Sequence, residues 1–444
     1  MVLQQIDRYP LVFCIALFLI ASFATTFVLP AFHSSDEYGY MASAREMMQG
    51  KFAKIGDVNR FPLFPVLLSV LYSILGYSEL VTNLLLAIIG VATLAIFYEF
   101  LAKPHLNKNG AFIATLIFAT NPLFLYLSTR VLTESLFILL FVIFAVLLLK
   151  ATASRLHSVL LGVVVGLLFA TRYVGLVAIP IAVAYFVYLY VSSKKLAVLS
   201  FSNLLIALIG FVLTTLLFSW LVFGEPFTLL SGFLSFFSQQ TSGLNEAATF
   251  SLPDKIPFYV PFIFVLLGFA SPLLWKALLG YKQFFKNNLL AASGISVVIF
   301  WLALEVYGVF NVALLRYIAP IIPFLALFAG SVNLPFNFRE FKINRRHLYV
   351  AIIFNLLVAV SIFGFFASYP KYVGYREAGQ WAAEHCASVN SNIQKIVKHY
   401  SNLDEWTSNS TSAQCTVISS YDGKLLPPSG QGLVFESHGV KVYK

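Results

Sequence analysis

Residues 31–65 read AFHSSDEYGYMASAREMMQGKFAKIGDVNRFPLFP, and this stretch decides how the chain is organised. It follows the first long apolar run and contains two adjacent carboxylates, Asp36 and Glu37. Carboxylates directly outside a lipid-facing segment are costly unless they are paired or have a function. Two interpretations stay open: a functional acid pair, or acids in the first turn of a helix capped by Ser34 or Ser35.

The composition of the whole chain is that of an all-α polytopic membrane protein. Of 444 residues, 59% are hydrophobic and 11% are charged, and the mean hydropathy is +0.84. Ordinary soluble domains carry about 25% charged residues. Apolar runs long enough to cross a bilayer predict a helical bundle of about 11 spans. The runs cover residues 11–30, 80–102, 111–128, 132–150, 157–172, 174–193, 197–222, 257–275, 288–308, 314–333 and 347–368.

Residues 61–76 form a shorter apolar run, and the charge pattern predicts that this run lies along the membrane as a juxtamembrane helix. Lys and Arg in short loops mark the cytoplasmic face. The basic clusters fall at every second gap between runs, and they share the side of Arg8 only if residues 61–102 cross once. The clusters are Lys103/Lys108, Lys150/Arg155, Lys194/Lys195, Lys276/Lys282/Lys286 and Arg339/Lys342/Arg345/Arg346. Topology therefore explains the net charge of +10, and no nucleic-acid partner is needed.

The longer and less regular segments then fall on the extracytoplasmic side. We expect a transmembrane catalytic domain over residues 1–368 and a small extracytoplasmic α+β domain over residues 369–444. Within the first domain, the outer loops cover residues 31–61 and 224–256. The function is therefore expected to face away from the cytoplasm.

The C-terminal segment is polar and is predicted to have mixed secondary structure. A helix over 377–399 and short strands over 415–420 and 433–443 are favoured. Cys386 and Cys415 can pair if the segment faces an oxidising compartment, and two free thiols are the alternative.

Three arginines lie at outer edges of the predicted spans. Arg60 precedes a proline-rich helix start, Arg172 occupies a tight turn, and Arg316 begins a span. The planar guanidinium group binds phosphate oxygens bidentately, so the three together can hold a phosphate headgroup. The alternatives are three unrelated interfacial side chains and, for Arg316, an ion pair with Glu305.

Other residues near these edges are candidates for a supporting role. Arg130 and Glu134 are spaced i, i+4, which favours a local ion pair within a helix. Tyr173 and Tyr317 each follow one of the arginines. Residues 38–49 predict an amphipathic helix that lies on the outer leaflet or packs on protein. No zinc-ligand spacing, P-loop or Ser-His-Asp order is present, and no metal site is predicted.

Together these residues resemble the GT-C glycosyltransferases, which are polytopic enzymes that use polyprenyl-phosphate sugars. The chain is most similar to the protein mannosyltransferase and aminoarabinose transferase branch, over most of residues 1–333. HSSDE is also similar to the His-Pro-Asp-Glu loop of a related branch that builds glycans on dolichol. The resemblance rests on the order and spacing of the Asp-Glu pair, AREMMQG, FPLFPVLLSVLYSILG, ATNPLFLYLSTRVLTESLF, GLLFATRYVGLVAIP and LLRYIAPIIPFLALFAG.

The resemblance implies roles for five of the candidate residues. Asp36 and Glu37 would be the catalytic acids, with Asp36 as general base or acceptor anchor. Arg60, Arg172 and Arg316 would contact the donor phosphate. The aminoarabinose branch has a metal-holding Glu at the position of Asn59, so no cofactor is required here and a divalent metal, though possible, is in doubt.

The function implied by the resemblance is sugar transfer from a dolichyl or undecaprenyl phosphate to an acceptor hydroxyl. The transfer would invert the sugar's configuration and take place at the outer or lumenal face of the cell membrane or endoplasmic reticulum. The acceptor would be a glycan, a lipid or a protein, and membrane lipids are the remaining partners. A transporter or flippase of lipid-linked glycans is one alternative, and an outer-face glycan polymerase or ligase is another. A transporter places its charges near mid-membrane, whereas the centres of these spans are nearly free of charge, which favours an enzyme.

Overall fold

The structure is a computed structural model in which most of the described chain is helical. The described residues are 9–28, 35–50, 62–151, 154–192, 197–235, 287–306, 319–331, 369–386, 389–391, 414–419, 432–437 and 439–444. Within this part of the chain, four helices are long and apolar enough to cross a membrane. They cover Glu79–His105, Thr133–Lys150, Tyr173–Val191 and Phe201–Phe223, and they identify an integral membrane protein.

The helices follow one another with short connections. A π-helical segment, Phe97–Ala102, and a one-turn helix, Lys103–His105, extend the fourth helix, and a 3-10 turn, Tyr173–Val177, precedes the ninth. The helices are α1 (Pro10–Val28), α2 (Ser35–Met48), α3 (Leu63–Leu75), α4 (Glu79–Ile96), α5 (Lys108–Ala119), α6 (Pro122–Leu127), α7 (Thr133–Lys150), α8 (Arg155–Thr171), α9 (Ala178–Ser192), α10 (Ala197–Phe223), α11 (Asn288–Val306), α12 (Ile322–Ser331) and α13 (Tyr369–His385).

The described part of the chain forms helices wherever the sequence predicts apolar spans. The predicted spans 257–275 and 347–368 lie outside the described residues, so the number of crossings stays a prediction. Helix α3 has 13 residues and is therefore about 20 Å long. Since the hydrocarbon core of a bilayer is about 30 Å thick, α3 is too short to cross it alone, in agreement with the juxtamembrane helix predicted there.

The prediction of one uninterrupted run over residues 111–128 was wrong, because the chain breaks at Thr120 and Asn121. Helix α5 ends at Ala119, and α6 begins at Pro122. Asn121 Oδ1 accepts hydrogen bonds from the first backbone N–H groups of α6 at 3.0 and 3.1 Å. Proline lacks an N–H and favours the first helical position, so Asn121 and Pro122 together start a new helix.

Glycines allow helices α8 and α10 to pack with their backbones in close approach. A Cβ atom on Gly162 would lie 2.1 Å from the carbonyl oxygen of Ala207, and one on Gly166 would lie 2.8 Å from Thr214. Gly162 and Gly166 are one turn apart and share a face of α8, the small-residue pattern of membrane helix pairs. This packing fixes the axis of α8 and with it the position of Arg172, the residue that follows the helix.

Helix α2 carries the acidic pair and packs on protein. It begins at Ser35, so both acids lie in its first turn. Tyr38, Met41 and Ala44 are fully buried, which settles the two interpretations of the amphipathic face in favour of protein packing. The acids are thereby held at the start of a helix whose orientation the core determines.

The C-terminal residues form a four-stranded sheet beside α13. The sheet order is β1-β2-β4-β3, with β1 parallel to β2 and the other neighbours antiparallel. A disulfide between Cys386 and Cys415 joins the end of α13 to β2. The strands are β1 (Val389–Ser391), β2 (Cys415–Ser419), β3 (Leu433–Ser437) and β4 (Val440–Tyr443).

The predicted helix over residues 377–399 was wrong at both ends. Helix α13 covers Tyr369–His385, and β1 begins at Val389, whose fully buried side chain packs into the core of the sheet. The predicted strand over 433–443 is a hairpin that turns at Gly439, where φ is +75° and glycine is favoured. The domain division itself stays a prediction.

Adding one methyl group at Gly162 is expected to separate α8 from α10. Gly162→Ala forces the Cβ atom against the Ala207 carbonyl, and such overpacking costs about 1–3 kcal/mol of stability. Thermal unfolding of the detergent-solubilised protein measures the loss. Gly294→Ala is the matched control, since its Cβ atom would meet Phe328 at an ordinary 3.7 Å. Equal unfolding temperatures for the two variants would contradict the close packing.

The disulfide predicts a specific pattern of thiol reactivity. The chain has three cysteines, and Cys14 is the free, buried one. In denaturant without reductant, a maleimide-polyethylene glycol reagent should therefore label one site per chain, and all three cysteines should react after reduction. Labelling of three sites before reduction would exclude the disulfide.

Candidate functional site

The two adjacent acids of α2 have different surroundings. Glu37 is fully buried, and its Oε2 atom accepts a hydrogen bond from the backbone N–H of Val131 at 3.3 Å. Asp36 is only half-buried. Glu37 thus fixes α2 to the turn over residues 128–132, which connects α6 to α7, while Asp36 keeps an accessible side.

A second interaction joins the start of α7 to the end of α8. Arg172 Nη1 lies 2.5 Å from Glu134 Oε1 and donates a hydrogen bond to Thr133 Oγ1 at 3.0 Å. The Glu134 side chain is 2% exposed and that of Arg172 is 15% exposed. A charge-assisted contact at this depth is screened little by solvent and holds both side chains in place.

The ion pair predicted from the spacing of Arg130 and Glu134 was wrong in its geometry. The i, i+4 rule applies to two residues on one helix, and α7 begins only at Thr133. Leu132, the residue before the helix, has an extended backbone conformation. Arg130 therefore belongs to the turn, where its buried guanidinium lies over the ring of Tyr126 at 5.3 Å.

Tyr40 connects the acids of α2 with the ion pair. Its hydroxyl interacts electrostatically with Arg172, Glu134 and Asp36, and it hydrogen-bonds the side chain of Thr133. Burial raises the pKa of Tyr40 above its ordinary value, and the two carboxylates act in the same direction against the opposing effect of Arg172. The phenol therefore stays protonated at neutral pH.

The remaining predicted residues fall into two groups. Tyr173 is buried, and its ring packs against Phe169 and Phe233 at centroid distances of 6.2 and 5.4 Å, so it contributes to the core beside the site. The others lie outside the described residues, or their side chains do. They are Arg60, Arg316, Tyr317 and the side chain of Glu305.

The cluster of Asp36, Tyr40, Thr133, Glu134 and Arg172 is called here the acid–arginine cluster. It combines a half-buried carboxylate with a guanidinium that is anchored on one side and 15% exposed. Such an arrangement can accept a proton from a hydroxyl while a neighbouring positive charge binds an anion. No group of three His, Cys, Asp or Glu side chains close enough to hold a metal occurs in the described part of the chain.

Two members of the cluster, Tyr40 and Thr133, were missing from the residues predicted from sequence. Tyr40 was assigned to the apolar face of an amphipathic helix, and Thr133 stood unremarked beside Glu134. The available signal was the i, i+4 spacing of Asp36 and Tyr40, which puts both on one face of α2. Nothing in the sequence pointed to Thr133.

The sequence comparison supports the resemblance described above. Residues 59–220 match the family of dolichyl-phosphate-mannose-protein mannosyltransferases. This region includes Glu134 and Arg172 but begins after Asp36. A comparison with curated proteins finds no match.

Solved structures with the same fold include ArnT from Cupriavidus metallidurans, bound to undecaprenyl phosphate. The TM-score is 0.60 at 15% identity, and the match covers 97% of each chain. The oligosaccharyltransferase of Archaeoglobus fulgidus matches 90% of this chain and 65% of its own, with a TM-score of 0.54 and 13% identity. The same organism's AglB, in complex with an inhibitory peptide and a dolichol-phosphate, matches with a TM-score of 0.52 at 13% identity, over 90% of this chain and 60% of its own. The predicted resemblance to the GT-C glycosyltransferases is thereby confirmed.

The anchor formed by Glu37 is expected to depend on its acceptor oxygen more than on its charge. Glu37→Leu leaves the buried N–H of Val131 without its acceptor, which costs about 1–3 kcal/mol. Glu37→Gln retains a carbonyl oxygen at the same position and should lose less. Chemical unfolding of the two variants measures the difference. A glutamine variant as unstable as the leucine variant would contradict this role.

Proposed function

We propose that the chain is a glycosyltransferase that moves a sugar from a polyprenyl-phosphate donor to an acceptor hydroxyl at the extracytoplasmic membrane face. The observation that carries the proposal is the juxtaposition of Asp36 and Arg172 through Tyr40. A half-buried carboxylate and an arginine are the two groups that such a transfer requires, one for the acceptor proton and one for the leaving phosphate.

The comparisons support the lipid-phosphate part of this proposal. The ArnT structure contains undecaprenyl phosphate, and the AglB structure contains a dolichol-phosphate. The matching family is described by a dolichyl-phosphate-linked mannose donor. What these proteins have in common is a phosphate on a long polyprenyl chain, and we assign this class of donor to the present chain.

The proposed reaction is a single displacement at the anomeric carbon of the donor sugar. The acceptor oxygen attacks that carbon while the bond to the phosphate oxygen breaks, so the configuration inverts. The polyprenyl phosphate leaves with the bonding electron pair, and Arg172 stabilises the negative charge that develops on it. Asp36 takes the proton from the acceptor hydroxyl, which balances the charge of the displacement.

Two observations support an extracytoplasmic site. The cytoplasmic loops predicted from the positive-inside pattern lie away from the acidic pair, at the opposite ends of the spans. The disulfide between Cys386 and Cys415 supports the same orientation, because disulfides persist in oxidising compartments. We therefore propose that the donor enters from the outer or lumenal leaflet.

Removing the carboxylate charge of Asp36 should abolish most of the transfer. We expect Asp36→Asn to lower kcat by a factor of about 10²–10⁴, the usual contribution of general base catalysis. The measurement is transfer of radiolabelled sugar from a polyprenyl-phosphate donor to a membrane-extract acceptor pool by the purified protein. Glu46→Gln is the matched control, because Glu46 is a half-buried acid at the far end of the same helix.

Two results would contradict the proposal. Full transfer activity in Asp36→Asn would remove Asp36 from the mechanism. A wild-type protein that moves the labelled donor across a vesicle bilayer without consuming it would identify a flippase instead.

A further inference from the structure

Tyr40 stands where two separately anchored parts of the site meet. It lies one turn after Asp36 on α2, whose position is fixed by Glu37 and the core. Its ring packs edge-on against Phe64 of α3 at 5.9 Å. Its hydroxyl points away from this packing to Thr133, at the start of α7.

Thr133 continues the connection to Arg172. Arg172 Nη1 donates to Thr133 Oγ1 at 3.0 Å, and Thr133 also hydrogen-bonds Tyr40. A hydroxyl group has one hydrogen and two acceptor lone pairs, so Thr133 can serve both partners at once. Tyr40, Thr133 and Arg172 therefore form an unbroken series of hydrogen bonds, which we name the hydroxyl relay.

The hydroxyl relay fixes what the ion pair alone leaves free. The contact between Arg172 Nη1 and Glu134 Oε1 involves a single nitrogen–oxygen pair, and a guanidinium held at one atom can still rotate about that contact. A second fixed contact from the same nitrogen to Thr133 restricts this rotation. Since a misplacement of about 1 Å can cost a reaction 10²-fold, the orientation of this guanidinium matters for catalysis.

We propose that Tyr40 is a positioning residue, which acts through Thr133 to hold the Arg172 guanidinium at a fixed orientation relative to Asp36. The inference rests on the proposed function only in taking Asp36 and Arg172 as the reacting groups. Because its phenol stays protonated, Tyr40 serves as a hydrogen-bonding group and takes no part as a base. Its ring packing on Phe64 holds α2 in register with the start of α7.

Two substitutions break the relay at different atoms and should have the same effect. Tyr40→Phe removes the phenolic oxygen and keeps the ring on Phe64, and Thr133→Val removes the hydroxyl and keeps the branched shape. We expect each to lower kcat/KM for the lipid-linked donor about tenfold, the size of a lost hydrogen bond to a charged group. Thr133→Ser keeps the hydroxyl and should retain activity near that of the wild type.

The double variant separates a relay from two independent contacts. If Tyr40 acts through Thr133, then Tyr40→Phe combined with Thr133→Val should lose no more activity than the worse single variant. Two multiplying losses, or wild-type activity in Tyr40→Phe, would overturn the proposal. Tyr72→Phe is the matched control, since it removes a buried hydrogen bond between Tyr72 and Thr82 that joins α3 to α4 outside the cluster.

A readout without turnover keeps this test distinct from that of the proposed function. Arginine labelled with ¹⁵N reports the rotation of the Arg172 guanidinium, and its resonance is assigned by its loss in Arg172→Lys. We expect restricted rotation in the wild type and in Tyr72→Phe, and faster rotation in Tyr40→Phe and Thr133→Val. Unchanged rotation in both relay variants would overturn the proposal, whatever the activity of the wild type.

Binding of undecaprenyl monophosphate to the protein in nanodiscs links the two tests. A wild-type protein that binds no lipid phosphate while showing restricted Arg172 rotation would refute the proposed function and leave the relay standing as a structural device. Binding that weakens about tenfold in Tyr40→Phe and Thr133→Val, but not in Tyr72→Phe, would support both.

Discussion

The ion pair between Arg172 and Glu134 is the interaction on which the organisation of the site depends. Both charges lie largely out of water, so each would be strongly destabilising without the other. Because Glu134 begins α7 and Arg172 follows α8, the pair closes these two helices at one end. The close packing of α8 on α10 through Gly162 and Gly166 then fixes where that end lies. The rest of the cluster is arranged around this fixed point.

The adjacent acids of α2 illustrate how one helical turn can separate structure from chemistry. Successive residues of an α-helix point about 100° apart. Glu37 consequently turns into the protein and binds the turn before α7, whereas Asp36 keeps a half-buried position. One acid fixes the helix, and its neighbour is available to a substrate. Tyr40, one turn beyond Asp36, shares its face and reaches the ion pair.

Much of this arrangement could be predicted from the sequence, and the exceptions have physical causes. Apolar runs and charge asymmetry predict the helices, and the isolated Asp36–Glu37 pair and Arg172 are conspicuous in such an apolar chain. The break at Asn121 was missed because hydropathy does not change across it. The partner of Glu134 was assigned to Arg130 because sequence spacing reveals only neighbours on one helix, and Arg172 comes from the next. The role of Thr133 depends wholly on that tertiary contact.

A structure of the protein with a polyprenyl monophosphate bound tests the central claim most directly. We expect the phosphate oxygens to lie within hydrogen-bonding distance of the Arg172 guanidinium, with the Asp36 carboxylate facing the same cavity. Density for the phosphate on the opposite side of the bilayer, or at a site that Arg172 does not reach, would contradict the proposed role of the acid–arginine cluster.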